Sequence, residues 1–174
     1  GIIYIDEIGW NGSNFTDLND HPITDIFKLY PWEWMIHEEF GHNITNDALN
    51  AQWIEPSWKM ILSNKAILPI LWELFPNHPL LLETYFNDPK QMSNYVKKPL
   101  LSREGANIEI YNNHRIVAET NGDYGAEGFI YQEYASLIKN SSGYALIGSW
   151  IVGETACGMS FRESDSLITN DRSR

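Results

Sequence analysis

The spacing of apolar positions changes character near residue 93. Ahead of it, most of the patterning is helical. "IIYID" (2–6) opens the chain as a short strand-like run, and "NGSNFTDLNDHP" (11–22) predicts a loop from its Asn, Asp, Gly and Ser. "PWEWMIHEEFGHN" (31–43) predicts a helix, with Pro31 in the first turn, acids after it and Gly41 as its stop. "NDALN" (46–50) predicts a short helical turn. "SNKAILPILWELFPNHP" (63–79) predicts a second helix, capped by Ser63 or Asn64. Its core-facing set would be Ile67, Ile70, Leu71 and Leu74. "HPLLLETYF" (78–86) reads as a short helix or turn.

From residue 93 the pattern alternates as strands do. "SNYVKKP" (93–99) and "NIEIYN" (107–112) are strands around a polar loop. "HRIVAE" (114–119) returns over "NNH", and "EGFIYQEY" (127–134) is a further strand. "YALIGSWIV" (144–152) and "TACGMSFRE" (155–163) flank Gly153-Glu154, a two-residue hairpin turn of the Gly-X type. Helices first and mostly antiparallel strands afterwards predict an α+β fold.

Composition adds limits. The 174 residues suit one domain or two small lobes, and 43% apolar residues suffice for a core. Trp10, Trp32, Trp34, Trp53 and Trp58 crowd the first 58 residues. They are either packed together or an apolar face awaiting a partner. A net charge of −11 argues against nucleic acid or an anionic membrane surface as partner. It also makes each cation informative. The single cysteine, Cys157, cannot form an internal disulfide and fits a reducing, cytoplasmic setting. It reads as a packed thiol rather than a nucleophile. No apolar run is long enough for a membrane-spanning helix, and no signal peptide is visible. Both ends read as cut from a longer chain.

Five places carry candidate chemistry. In "YVKKP", neighbouring side chains face opposite ways, so Lys97 and Lys98 cannot serve one site. Lysines guarding an exposed edge are the plainer account, weaker for Lys98, which abuts Pro99 where pairing must end. The loop "LLSREGAN" (100–107) has one glycine and no nucleotide-binding spacing. An ordinary surface loop is its plainer account, yet Ser102, Arg103 and the backbone around Gly105 offer donors for phosphate. Lys65 lies at a helix N-terminus, where the dipole disfavours a cation unless an anion joins it or solvent screens it. Gln132, Glu133 and Tyr134 stand where a strand runs out; they can present backbone N–H and C=O groups to an adenine edge, and a strand end with no ligand is the plainer account, which the spacing does not exclude. Arg162 follows an apolar strand. It is either ion-paired locally with Glu163 or Asp165, or aimed at a transferring phosphoryl group. His37 and His42 are five apart with Gly41 between them, which argues against a metal site.

Taken together, "FKLYPWEWMIHEEFG", "WIEPSWKMILSNKAILPILWELFPNHPLLLETYF", "YVKKPLLSREGANI", "YGAEGFIYQEY" and "IGSWIVGETACGMSFRESDSLIT" resemble the C-terminal half of the glutathionylspermidine synthase family. The resemblance runs along nearly the whole chain. It implies a partial ATP-grasp fold, with antiparallel sheet in the C-terminal half and helices in the N-terminal half. It implies residues 1–90 as a mainly helical part, 91–142 as a nucleotide-covering β lobe and 143–174 as strands of a second lobe.

The resemblance further implies an ATP-dependent carboxylate–amine ligase that works through an acyl phosphate, with Mg²⁺ at the phosphates. The acyl partner would be a glutathione-like or peptide carboxylate, and the amine polyamine-like. Lys65 and Lys98 match the two phosphate lysines. Glu104 and Gly105, with Arg103 beside them, match the phosphate loop. Gln132, Glu133 and Tyr134 match the adenine hinge. Arg162 matches the arginine that stabilises the transferring phosphate, and Leu167, Ile168 and Thr169 match a segment near the nucleotide. The family's Mg²⁺ ligands, an Asp and a Glu-x-Asn pair, have no counterpart here. They and the pre-ATP-grasp region are expected upstream, in the rest of a parent chain, so this piece alone is expected to be inactive. Two alternatives remain: a non-catalytic nucleotide- or peptide-binding module of the same fold, and an interaction domain built on the tryptophans.

Overall fold

The computed structural model describes residues 1–45, 51–170 and 173. The turn expected over 46–50 lies outside them. The chain divides into two compact units, Gly1–Ser63 and Asn64–Arg174.

The first unit is built from short pieces. β1 (Gly9–Trp10) and β2 (Phe15–Thr16) form a hairpin, and β3 (Asp25–Phe27) pairs in parallel with β4 (Gln52–Ile54). α1 (Trp32–Met35) is one turn, and α2 (Met60–Ser63) another. Aromatic side chains make the core: Phe15 lies edge-on to Trp10 and Trp53, and Trp53 meets Trp32 at 5.0 Å. Trp34 and Trp58 stay exposed, so only part of the tryptophan set is packed. Lys28 is buried; its Nζ donates to Glu55 Oε2 and to the Tyr30 carbonyl, both at 2.9 Å, and sits over the Trp32 ring.

Two expectations fail in this unit. "IIYID" is not a strand. Its last residues open a 3-10 turn, Ile5–Glu7, because the Glu7 carboxylate reaches back to the Tyr4 N–H at 2.7 Å. The helix expected over 31–43 stops at Met35. Bonds from residue i+3 tighten the chain beyond it, and a 3-10 helix, Gly41–Thr45, follows. Gly41 marks a fold-back rather than a stop: a Cβ there would lie 2.3 Å from the Met35 carbonyl oxygen.

In the second unit, α3 (Ile67–Leu74) is shorter than expected. The Asn64 side chain accepts from the Ala66 N–H at 2.9 Å, a local turn ahead of the helix; the N-cap itself is Ala66, which has no side-chain cap bond, so neither Ser63 nor Asn64 caps the helix as expected. The buried face differs too. Pro69 is buried while Ile70 and Leu74 are exposed, because the helix turns toward β5 (Thr84–Phe86). β5 replaces the helix or turn expected over 78–86. Its partner is β9 (Phe129–Glu133), with Thr84 opposite Gln132, and that distant pairing overrides the local preference.

β6 (Tyr95–Pro99), β7 (Glu109–Asn112) and β8 (Arg115–Glu119) complete an antiparallel sheet in the order β5-β9-β6-β7-β8. Asn113 and His114, both at positive φ, make the two-residue turn between β7 and β8. Ile108, Ile110 and Ile168 form the core on one side of this sheet, with Val96, Ala118, Tyr134 and Leu167 packed against them. β10 (Ile138–Asn140), which the pattern missed, pairs with a long hairpin of β11 (Gly143–Val152) and β12 (Thr155–Ser164). Gly153-Glu154 make its turn, as expected. Ile147 opposes Phe161 and Ser149 opposes Met159 on one hairpin face, and all three apolar side chains of this set are exposed. Cys157 is exposed near the hairpin tip, not packed. The fold is mixed α and β with few helices and mainly antiparallel sheet, consistent with a partial ATP-grasp fold.

Candidate anion-binding site

Strand alternation separates Lys97 from Lys98, and the two faces of β6 give them opposite surroundings. On one face Lys97 Nζ donates to Glu109 Oε1 at 2.8 Å and lies 4.5 Å from the Phe129 ring centre. Glu109 also accepts from the Tyr111 hydroxyl, and Tyr111 stacks on Tyr95. Burial pushes the Glu109 carboxyl up, but its bonds to Lys97 and Tyr111 outweigh this and hold it below its ordinary value. The Tyr111 hydroxyl, sharing its proton with that carboxylate, is pushed up.

Lys98 has no such partner. Its Nζ donates to a neutral acceptor, Gln132 Oε1, at 2.6 Å. Burial first, and then the Lys65 ammonium, lower it to about 8. Lys65 reaches the same neighbourhood from the segment before α3. Its backbone N–H donates to the Leu100 carbonyl, and its Nζ donates to both the carbonyl and the hydroxyl of Ser102 at 2.9 Å. A desolvated ammonium beside another ammonium is strained electrostatically, and an arriving anion relieves that strain. This donor set fits a phosphate chain.

The loop after β6 is pinned from two sides. Glu104 and Gly105 both have positive φ, at 54° and 73°. A Cβ on Gly105 would lie 2.3 Å from the Thr169 carbonyl oxygen, so glycine is required for both the turn and the close approach. Thr120 Oγ1 donates to the Gly105 carbonyl. Ile168 and Leu167 join the sheet's core, which brings 167–169 onto the loop. Arg103 and Glu104 are exposed.

The strand end at Gln132–Tyr134 differs in part from expectation. Gln132 is buried on the Lys98 face, whereas Glu133 is exposed and Tyr134 packs on the core. The N–H groups of Glu133 and Tyr134 are already given to the carbonyls of Glu83 and Asn94. A ligand here therefore meets carbonyl oxygens or side chains, not those two N–H groups. Arg162 stands exposed on β12 opposite Leu146, and its side chain makes no hydrogen bond or ion pair among the described residues. Its expected neighbour Glu163 instead accepts from Asn140. Among the described residues no group of three or more His, Cys, Asp or Glu is placed to hold a metal ion. No helix among them is long and apolar enough to cross a membrane.

One member of the cluster has no local sequence signal. The buried Thr84 hydroxyl touches Gln132, and this link exists only because β5 pairs with β9.

Comparison with known proteins agrees with the resemblance. A family model described as "Glutathionylspermidine synthase preATP-grasp" matches residues 1–174, which corrects the expectation, drawn from the resemblance, that the region of that name lies upstream of this chain. A putative acid–amine ligase of Haemophilus influenzae is 46% identical over 97% of this chain and 45% of its own length. A trypanothione synthetase of Crithidia fasciculata is 32% identical over 96% of this chain and 29% of its own. A bifunctional glutathionylspermidine synthetase/amidase of Escherichia coli is 30% identical over 97% of this chain and 31% of its own. The chain thus spans less than half the length of these relatives. With its full length matched, it belongs to the glutathionylspermidine synthase family.

Proposed function

We propose that this chain supplies part of the nucleotide site of an ATP-dependent carboxylate–amine ligase. The observation that carries the reading is Lys98: a partly buried ammonium, held by a neutral amide and set beside Lys65. The names of the relatives, an acid–amine ligase and two synthetases, support amide formation as the reaction class.

ATP would transfer its γ-phosphoryl group to a carboxylate oxygen, leaving ADP and an acyl phosphate; an amine would then attack the acyl carbon, forming the C–N bond as the C–O bond to phosphate breaks and phosphate leaves. Lys65 and Lys98 hold the phosphate chain. The loop of Arg103, Glu104 and Gly105 covers it, and Leu167, Ile168 and Thr169 fix that loop from below. Gln132, Glu133 and Tyr134 border the adenine. Arg162 offsets charge on the group in transfer. Residues 91–142 are the nucleotide-covering lobe, and 143–174 are strands of the second lobe. The substrates are a glutathione-like carboxylate and a polyamine-like amine, met in the cytoplasm. Mg²⁺ would be held by residues outside this set, in the rest of a parent chain.

Calorimetric titration with ATP and ADP tests the reading. Saturable binding that weakens about a hundredfold in Lys98→Ala is expected, with no sustained ATP turnover by the 174 residues alone. Turnover at the rate of an intact synthetase, or nucleotide binding indifferent to both Lys65 and Lys98, would overturn it.

A further inference from the structure

We infer that Thr84 is a positioning residue: its hydroxyl decides which end of the Gln132 amide faces Lys98, and thereby holds that ammonium in place for a phosphate. The inference rests on the reading of Lys98 as a phosphate lysine.

The geometry is a chain of single choices. Thr84 is 1% exposed at the start of β5. Its hydroxyl donates to the Leu82 carbonyl at 2.8 Å. That uses its only proton, so the oxygen can otherwise only accept. Gln132 lies directly opposite in the β5–β9 register, with Nε2 at 3.2 Å from that oxygen. The amide nitrogen therefore faces Thr84, and Oε1 faces Lys98 Nζ at 2.6 Å. The reverse orientation would set lone pair against lone pair at Thr84. It would also set an amide N–H against an ammonium. Gln132 is buried, so water cannot repair either mismatch.

The outcome for Lys98 follows. One N–H is committed to Gln132, and the other two have no acceptor among the described residues. Of the groups near it, Lys65 is the charged one that acts on it. Ile130 opposes it on β9, while Lys97 and Glu109 lie on the other face of the sheet. The orienting work thus falls to one neutral amide, and that amide's orientation falls to Thr84.

The test compares Thr84→Val, Thr84→Ser and Gln132→Leu, reading ATP affinity by calorimetry and the Lys98 titration by ¹⁵N NMR of its ammonium. Thr84→Val should weaken ATP about tenfold and lower the Lys98 midpoint, and Thr84→Ser should restore both to within about twofold. In a Gln132→Leu background, Thr84→Val should add nothing, because the route through the amide is gone. A full effect of Thr84→Val in that background would show a merely structural role and overturn the inference. So would an unchanged Lys98 midpoint in Thr84→Val. If the unmodified protein binds no ATP, the nucleotide reading falls, but the Lys98 midpoint still decides the positioning role. If Thr84→Val does not fold, Thr84→Ala carries the same comparison.

Discussion

Lys97 and Lys98 are neighbours in one strand, yet the sheet treats them as different chemical species. Lys97 sits in a closed set of Glu109, Tyr111, Tyr95 and Phe129, where its charge is met by a carboxylate and an aromatic face. Lys98 sits against an amide, with another cation acting on it. The first arrangement is complete as it stands and is best read as cross-strand stabilisation. The second is destabilised until something negative arrives. Such a site costs the fold stability, which supports the proposal that Lys98 binds an anion.

The sharpest way to break this contrast is nucleotide affinity. Lys98→Ala should weaken ATP about a hundredfold, the scale of a charge-assisted bond lost from a desolvated site, while Lys97→Ala should change it less than about twofold. The reverse order would show that the faces have been assigned wrongly.

Stability without ligand should move the other way. Lys98 titrates lower in the folded chain than in the unfolded one, at about 8 against 10.5. Between those values the unfolded state binds more protons, so stability rises with pH across that window. Below about pH 8 the penalty is full. Lys98→Met should therefore raise unfolding stability at pH 7 by about 2 kcal/mol and abolish the rise between pH 8 and 10, as measured by urea denaturation.

On the other face, Lys97→Met should cost about 1 kcal/mol, since it strands a partly buried Glu109. In that variant the Glu109 midpoint, followed by carboxyl NMR, should move up. Tyr111→Phe should cost least, about 0.5 kcal/mol, and leave ATP affinity unchanged.

Much of the sheet was legible because its signals are local. Alternation and two-residue turns place β6, β7, β8, β9, β11 and β12 without any distant information. β5 and the parallel pair β3 and β4 were not legible. Each is three residues long, and each becomes a strand only through its partner. The helix over 31–43 failed for a related reason: acids and a following glycine look the same whether the chain stops or folds back over Met35.

The site divides the same way. Parity along "YVKKP", together with Pro99, separated the two lysines correctly. Arg103, Gly105 and Gln132 were candidates from their own chemistry, with a plainer account beside them, whereas Glu104 and the 167–169 segment came from the family resemblance alone. The structure brings Lys65, Lys98 and Gln132 into one neighbourhood. Arg162 is not joined to it by any hydrogen bond or ion pair. Thr84 carries no sequence signal at all, since a threonine in "LLETYF" means nothing until register sets it against Gln132.

The β11–β12 hairpin has a colloidal consequence. Its face of Ile147, Met159 and Phe161 lies open to solvent on strands ten residues long. Such a surface attracts copies of itself, and at neutral pH a net charge of −11 opposes their approach. That balance tilts as pH falls toward the isoelectric point near 4.7. Sulfate tilts it further by strengthening apolar contact, and cooling weakens the same contact. Solubility of the free chain should therefore be lowest in warm, mildly acidic, sulfate-rich solution, with a single charge introduced at Met159 enough to raise it.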